Sequence, residues 1–312
     1  MRLLVKFRPQ LVSSASLIHA EVGGTHVETI PGIGVHIVDV PDVQGQAALA
    51  RYQAHPLVQY AEEEGSYEAV PLAPSLIVND PSLPLQWAIP KIQCTEAWDI
   101  TQGQPTVLIA ILDTGIDEAH PDLSGKVVDR QNFSGAPDNG DHYGHGTHVA
   151  GSAAAVTNNG IGVAGVAPLV KMLNVKVLND SGSGAWSGVA SGIVWAADHG
   201  AQVISMSLGG TGGSQVVEDA VNYAWAKGAV VCAAAGNSAT NTPFYPAFYP
   251  NCIAVAATDI NDAKASFSNF GDWVDISAPG VNIYSTVPPG PCTLCDPTFY
   301  RYLSGTSMAC PH

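Results

Sequence analysis

Apolar positions change their spacing about seventy residues into the chain. In the first part, apolar and polar residues alternate, as in half-buried strands, in three places: Leu3–Phe7, Val35–Val38 and Val58–Glu62. Helical spacing appears over Ser13–Glu21 and Val43–Ala54, and Asp42 precedes the second of these segments as a candidate cap. The pattern predicts a small α+β domain.

A proline-rich segment follows this first part. Five of the 22 prolines lie between Pro71 and Pro90, which is typical of an extended, accessible linker. We therefore expect one domain with its linker over residues 1–73, and a second, larger domain over residues 74–312.

From Ala97 onward, short apolar runs alternate with helical segments. The runs are typical of buried parallel strands and cover Val107–Leu112, Val170–Val177, Val203–Met206, Ala229–Ala235 and Cys252–Ala256. The helical segments between them are Gly146–Val156, Gly188–His199 and Val216–Lys227. This order predicts an α/β fold with a mostly parallel, doubly wound sheet.

Composition narrows the possible partners. The 312 residues are 46% apolar, enough for a substantial core. The formal net charge of −15 argues against nucleic acid as a partner. The longest apolar runs have six and seven residues, far below the roughly 18 that a membrane span needs, so no membrane partner is expected.

Cysteine is too sparse for a disulfide scaffold. Of the six cysteines, only Cys292 and Cys295 are closely spaced. We expect them to form a small local disulfide in a surface loop, because one Cys-x-x-Cys without a second pair is a weak zinc signal.

Candidate chemistry begins where the first buried strand ends, at Asp113-Thr114-Gly115. Functional groups of an open parallel sheet lie at the carboxyl ends of its strands. The tripeptide also occurs in aspartic proteases, but their mechanism needs a second copy, and this sequence has none.

A histidine cluster follows, with His142, His145 and His148 spaced three apart. Zinc binding by a metallohydrolase is one interpretation. Glycines on both sides of His145, and the absence of the glutamate of a His-Glu-x-x-His motif, favour an exposed imidazole at a helix start instead.

A serine in a glycine turn completes the set. Ser307 lies in Gly305–Ala309, where a helix start favours developing negative charge. The order Asp113, His145, Ser307 is that of the subtilisin triad.

Residues from about Asn79 to His312 resemble the subtilisin-like serine proteases of the thermitase branch. Five motifs carry the resemblance: Asp113–Gly115 with His120–Leu123, His145–Gly151, Ser207–Gly210, Ala234–Asn237 and Gly305–Ala309. The first 70 or so residues resemble the propeptide of such enzymes. The resemblance implies a three-layer subtilisin-like catalytic domain after a ferredoxin-like α+β propeptide, made as a zymogen.

The resemblance also assigns catalytic roles. It makes Ser307 the nucleophile, His145 the general base and then acid, and Asp113 the carboxylate that orients the imidazole. Asn237 matches the amide that stabilises the oxyanion.

Substrate-binding residues follow from the same resemblance. The two segments that would bind an extended peptide by strand addition include Ser207, Leu208, Gly209, Ser183 and Gly184. The main side-chain pocket would be lined by Ala234, Ala235 and Gly236, which leave room for a large apolar group.

Structural calcium is the implied cofactor. The carboxylates of Asp80 and Asp122 and the amide of Asn159 match the tight site of the family. Backbone carbonyls of the same site match Val156, Ile161 and Val163. A solvated loop is the alternative interpretation, and a second calcium site is not expected because the loop from Asn132 to Tyr143 is short.

Family membership further implies export to the extracellular space, a monomer, protein and peptide substrates, and inhibition in cis by the chain's own propeptide. The N-terminal residues lack the continuous apolar region of a signal peptide. Family members continue well past the nucleophile, whereas five residues follow Ser307 here. We therefore expect an incomplete catalytic domain that folds poorly or is inactive; a binding module with an inert protease half is the non-enzymatic alternative.

Overall fold

The computed structural model describes residues 1–8, 14–66 and 78–312. The chain forms two compact units, Met1–Leu72 and Ala73–His312. Within the described residues, no helix has the length and apolar character needed to cross a membrane.

The N-terminal unit is a four-stranded antiparallel sheet with two helices. Its elements in chain order are β1 (Arg2–Phe7), α1 (Ala15–Val22), β2 (Thr25–Ile30), β3 (Val35–Asp39), α2 (Gly45–Ala54) and β4 (Val58–Glu63). The strands lie in the order β2-β3-β1-β4, which is the ferredoxin-like arrangement. Leu3 and Val5 of β1 form one core with Ile18 of α1 and Tyr52 of α2. The predicted α+β fold is confirmed.

Three details of this unit differ from the sequence prediction. Strand β2 was not predicted, because it lies at the sheet edge and exposes most of its side chains. Asp42 does not cap α2; it lies in a 3-10 turn and pairs with the amino group of Met1. The helix predicted from Ser13 starts outside the described residues, and the described part is helical from Ala15.

The larger unit is built on a seven-stranded sheet. Its elements in chain order are α3 (Ala88–Lys91), α4 (Cys94–Trp98), β5 (Leu108–Asp113), β6 (Val127–Asn132), α5 (His145–Ala154), β7 (Lys171–Lys176), α6 (Trp186–Asp198), β8 (Val203–Met206), α7 (Gln215–Ala226), β9 (Val230–Ala234), β10 (Ile253–Thr258), β11 (Ile276–Pro279), β12 (Ile283–Thr286), β13 (Tyr300–Leu303) and α8 (Thr306–Ala309). The sheet order is β11-β10-β9-β8-β5-β7-β6, with every pair parallel. Strands β12 and β13 form a separate antiparallel hairpin.

Neighbouring residues of β5 pack against helices on opposite faces of the sheet. Ala110 and Leu112 pack in one core with Ile193 of α6 and Val221 of α7. Ile111, between them, packs in another core with Val149 of α5. Successive side chains of a strand point to opposite faces, so helices cover both faces of the sheet. The predicted three-layer subtilisin-like fold is confirmed.

The predicted linker is wrong over its described part. Residues 79–90 contain a 3-10 turn at Leu83–Leu85 and the start of α3, and Ile89 is buried. The Gln86 side-chain amide donates to the Ala164 carbonyl at 2.8 Å, and its oxygen accepts from the Ala164 N–H at 2.7 Å. This segment is therefore part of the packed unit, and residues 71–77 lie outside the described residues.

Candidate active site

Asp113 and His145 meet where β5 ends and α5 begins. Asp113 is fully buried, and its Oδ1 accepts the Nδ1 proton of His145 at 2.8 Å. Gly144 has a φ of 98°, a conformation that favours glycine, and turns the chain so that His145 is the first residue of α5. A Cβ at Gly146 would collide with the Gly115 carbonyl oxygen, so both flanking glycines are required for this approach.

Opposing influences act on the imidazole. Burial lowers the pKa of His145, but the charge of Asp113, its hydrogen bond and the charge of Asp141 raise it more, so the pKa is above its ordinary value. Because Nδ1 is bonded to Asp113, Nε2 is the nitrogen that remains for proton transfer. This arrangement stabilises an imidazolium formed when His145 accepts a proton.

Asp141 is a functional residue that the sequence analysis missed. Its buried carboxylate accepts hydrogen bonds from the Thr114 hydroxyl at 2.8 Å, the Gly144 N–H at 2.7 Å, and the Thr147 N–H and hydroxyl at 2.8 and 2.7 Å. These bonds join the turn after β5 to the first turn of α5. An acidic residue just before a predicted helix start was the available signal.

Ser307 lies in the same cavity as His145, but the two side chains are not hydrogen-bonded to each other. The Ser307 hydroxyl donates to the Ser207 carbonyl at 3.1 Å, and no hydrogen bond to His145 is present among the described residues. The Ser207 hydroxyl in turn donates to the Ser307 carbonyl at 2.7 Å. Catalytic contacts of this kind are often formed only once substrate is bound.

The Asn237 amide is hydrogen-bonded to Thr306, the residue before Ser307. Its Oδ1 accepts from the N–H and the hydroxyl of Thr306 at 2.8 and 2.9 Å. A Cβ built on Gly305 would lie 3.4 Å from Asn237 Nδ2 and 3.6 Å from Ser307 N. Both N–H donors therefore lie close to Gly305, in the turn that carries Ser307.

One cavity of about 490 Å³ collects the predicted substrate-binding residues. They line its wall: Ser183, Gly184, Ser207, Leu208, Gly209, Ala234 and Gly236. Ala235 is instead fully buried and does not line it. No lining residue carries a carboxylate. Five aromatic residues that were not predicted also line the cavity: Tyr143, Trp186, Phe244, Tyr245 and Tyr249. The cavity is suited to an apolar side chain.

The three spaced histidines do not converge on one point. His142 pairs with Asp138 at 2.9 Å, whereas Nε2 of the buried His148 lies 3.1 Å from the Ile283 carbonyl. Burial lowers the pKa of His148 to about 3. Within the described ranges, no three His, Cys, Asp or Glu side chains are placed to hold a metal. The metallohydrolase interpretation is therefore not supported.

A second set of predicted residues forms a buried loop cluster. Asp80 accepts from the N–H groups of Asn158 and Asn159 at 2.7 and 3.1 Å, and Asp122 accepts from Asn159 Nδ2 at 2.8 Å and the Val163 N–H at 2.7 Å. Burial raises the pKa of both aspartates. Neither forms an ion pair with a lysine or arginine of the described chain.

Backbone oxygens complete this cluster. The carbonyls of Val156, Ile161 and Val163 accept no hydrogen bond from any residue that the structure describes. Two buried carboxylates and free carbonyl oxygens are the hard oxygen donors that calcium prefers. The Asn159 amide points Nδ2 at Asp122 and its Oδ1 accepts from the Ile161 N–H at 3.0 Å, so it would have to turn for its oxygen to bind an ion. The residues present therefore fit a calcium site.

Comparison with known proteins agrees with the fold. The model of the subtilase family matches residues 104–312, and that of the fervidolysin N-terminal prodomain matches residues 2–64. The chain is 55% identical over 238 residues to thermitase of Thermoactinomyces vulgaris, covering 75% of this chain and 81% of thermitase. It is 43% identical over 314 aligned positions to a thermophilic serine proteinase of Bacillus sp. strain AK1, covering 99% and 75%. Subtilisin DY of Bacillus licheniformis is 47% identical over 231 residues, covering 72% and 80%.

These findings define the class of protein first: it is a serine endopeptidase with an N-terminal prodomain. The chain belongs to the subtilase family, and its similarity to thermitase confirms the predicted branch.

Proposed function

We propose that this endopeptidase acts through Asp113, His145 and Ser307 by an acyl-enzyme mechanism. The observation that carries the proposal is the 2.8 Å hydrogen bond between Asp113 and His145 at the wall of a cavity that Ser307 also lines. A serine hydroxyl is a weak nucleophile until a neighbouring base removes its proton, and that base needs a fixed tautomer.

In the proposed reaction, the Ser307 hydroxyl leaves the Ser207 carbonyl and turns to Nε2 of His145. His145 takes its proton while Ser307 Oγ attacks the peptide carbonyl carbon, and the resulting negative oxygen is stabilised by Asn237 Nδ2 and the Ser307 N–H. The imidazolium, stabilised by Asp113, then protonates the leaving amine. In the second half of the reaction, His145 takes a proton from water while the water oxygen attacks the acyl carbon. The imidazolium then returns the proton to Ser307 Oγ as the bond between Oγ and the acyl carbon breaks.

We propose that substrates bind as extended peptides along the cavity wall. Ser207, Leu208 and Gly209 would pair with the substrate backbone on one side, and Ser183 and Gly184 on the other. Ala234 and Gly236 would border the pocket for the side chain that precedes the cut bond. The absence of carboxylates from the cavity lining supports a large apolar side chain there.

We propose that residues 1–73 form the propeptide with its linker, which inhibits the enzyme in cis and assists its folding, and that residues 74–312 belong to the catalytic domain. The prodomain match over residues 2–64 supports this division. The same zymogen organisation supports export and an extracellular site of action.

We further propose a structural calcium site. Asp80, Asp122 and the side chain of Asn159 would hold the ion together with the carbonyls of Val156, Ile161 and Val163. Bound calcium would supply positive charge to two buried carboxylates that no other cation of the described chain neutralises. The chain's own residues provide a preformed loop for it.

Covalent labelling tests the catalytic proposal. The full chain is treated with an aryl sulfonyl fluoride, and the labelled peptide is identified by mass spectrometry. We expect one label at Ser307, which disappears in Ser307→Ala and is strongly slowed in His145→Ala. Active protein that remains unlabelled, or is labelled at another serine, contradicts the proposal.

A further inference from the structure

A short loop closed by a disulfide connects β12 to β13, and the proposed reaction gives it no role. Cys292 and Cys295 are bonded, and the other four cysteines are free thiols. The Asp296 N–H donates to the Pro288 carbonyl at 3.1 Å and closes the base of the loop. A bond between residues three apart excludes few conformations of the unfolded chain, so its effect is local.

The loop contacts the two residues that precede His145. The Leu294 N–H donates to the Tyr143 carbonyl at 2.9 Å. A Cβ at Gly144 would lie only 3.0 Å from the carbonyl carbon and the Cβ of Leu294. The loop is thus packed directly against the turn that brings the chain to His145.

The other polar groups of that turn are bonded elsewhere. The N–H groups of Tyr143 and Gly144 donate to the Asp141 carboxylate at 3.1 and 2.7 Å. Asp141 therefore satisfies the donors of the segment, while Leu294 satisfies the carbonyl acceptor of Tyr143. Loss of the loop contact would leave this turn held through its N–H groups and through the Gly144 carbonyl, which accepts from the His148 N–H at 3.4 Å.

The hairpin also holds α5 beyond His145. The Thr286 hydroxyl donates to the Thr147 carbonyl at 2.7 Å, and the Ser285 hydroxyl donates to the His148 carbonyl at 2.9 Å. Strand β12 thus anchors the helix after His145, and the loop at the end of the same strand anchors the turn before it. His145 lies between two attachments to one hairpin.

We propose that the disulfide-closed loop, residues 291–296, is a positioning element for His145. It fixes the backbone of Tyr143 and Gly144, and thereby keeps the imidazole aligned with Asp113 and with Ser307. The inference rests on the proposed function, in which His145 is the general base. Misplacement of a catalytic group by about 1 Å costs up to about 100-fold in rate, so a single backbone contact beside His145 is enough to matter.

The first test removes the disulfide. Cys292→Ser/Cys295→Ser is compared in the full chain with Thr293→Ala, which alters an exposed residue of the same loop whose side chain makes no hydrogen bond with any described residue. We expect kcat per titrated active site to fall about tenfold in the double variant, with KM changed less than twofold. The acid limb of kcat/KM should move to lower pH, because a loosened contact with Asp113 stabilises the imidazolium less. The control should match the wild type.

The second test leaves the sequence unchanged. A dithiol reductant supplies two electrons and two protons to the disulfide, yields the two thiols, and is itself oxidised to a cyclic disulfide. The remaining cysteines are already thiols, so the reagent has one target. On reduction, kcat of the folded wild-type enzyme should fall about tenfold, and reoxidation should restore it. The double variant has no disulfide, so its kcat should not change with either treatment.

Either of two results would overturn the inference. One is an unchanged kcat per titrated site after both reduction and substitution, even if the melting temperature falls, since the loop would then only stabilise. The other is an increase in KM alone, which would make the loop a substrate contact. Titration of wild-type Ser307 with the sulfonyl fluoride is measured first, because failure there contradicts the proposed function and not the role of the loop.

Discussion

At the scale of single residues, two hydrogen bonds orient the groups that we propose to be catalytic before substrate is present. Asp113 accepts from Nδ1 of His145 at 2.8 Å, and Thr306 donates to Oδ1 of Asn237 at 2.8 Å. The first bond leaves Nε2 of His145 free to act at the cavity, and the second leaves Nδ2 of Asn237 free to do so. The site is largely preorganised, and the Ser307 hydroxyl is the group that must reorient.

The pH dependence of the reaction tests the link between Asp113 and His145. The pKa of His145 lies above its ordinary value because attraction to Asp113 outweighs burial. The base must be neutral, so kcat/KM should rise with pH through this raised pKa. In Asp113→Asn the rise should shift to lower pH, and the plateau should fall by about 10⁴-fold.

Asp138→Asn is the matched control for this profile. Asp138 also bonds a histidine, His142, but both side chains are exposed. Its substitution should leave the profile of kcat/KM unchanged. An acid limb that stays in place in Asp113→Asn would contradict the account of His145.

At the scale of elements, central strands were predictable, whereas edge strands other than β4 were missed. Strand β5 was placed to within one residue, because burial on both faces makes its sequence almost continuously apolar. Strands β7 and β8 were placed equally well, although β7 contains Lys171, Asn174 and Lys176 and β8 contains Ser205. Strands β2 and β6 were missed, because each lies at a sheet edge and exposes several side chains. Hydrophobic patterning reports burial, and an edge strand is only weakly buried.

The prediction of a linker at Pro84 and Pro90 was wrong because proline has more than one structural use. Pro84 and Pro90 lie in a 3-10 turn and in α3 of a packed segment. A fixed φ suits the start of a helix as well as an extended linker, so proline content alone does not separate the two.

In the site, the triad residues could be predicted because each lies in a short motif. The contact between Leu294 and Gly144 could not, because it joins residues 150 positions apart and no local pattern records it. The role of Asp141 was also missed, since its partners come from the turn after β5 and from the first turn of α5.

Calcium removal tests the loop cluster around Asp80 and Asp122. Chelation should lower the melting temperature of the full chain, because two buried carboxylates would lose their counter-charge. A ligand at 100 times its Kd stabilises a fold by about 2.7 kcal/mol. The effect is measured by calorimetry with and without added calcium.

Asp122→Asn supplies the comparison for this experiment. It removes one of the two charges, so added calcium should raise its melting temperature much less than that of the wild type. Equal responses of the two proteins, or no response of the wild type to chelation, would contradict the site.

At the scale of the whole molecule, buried histidines should make the fold sensitive to acid, and the N-terminal unit offers the clearest test. In the N-terminal unit, His19 is buried with Nδ1 2.9 Å from the Tyr52 hydroxyl and Nε2 3.0 Å from His36 Nδ1. Burial, then repulsion from His36 and His26, lowers the pKa of His19 to about 4. Burial, His26 and Lys6 also lower the pKa of His36.

A lowered histidine pKa makes the fold less stable in acid. The neutral form is favoured in the folded state, so this contribution is present above pH 6.5 and is lost as the pH falls toward about 4. It amounts to about 3 kcal/mol. Hydrogen exchange on the full chain carrying Ser307→Ala should therefore show loss of protection in β1 and β3 between pH 7 and pH 4.5.

His19→Gln is the comparison for the acid response. Glutamine does not titrate, so the variant should lose less protection over the same pH range than the chain with His19. Identical pH dependence in both chains would contradict this role of His19.

The central claim is that Ser307 is the nucleophile of the endopeptidase, and one measurement tests it most directly. Hydrolysis of denatured casein and of a chromogenic peptide with a large apolar residue before the cut bond is measured for the full chain and for Ser307→Ala. We predict that any cleavage by the wild-type chain, however slow, requires Ser307, and that kcat falls about 10⁶-fold in the variant. A folded Ser307→Ala protein that retains more than a few per cent of the wild-type rate would contradict it.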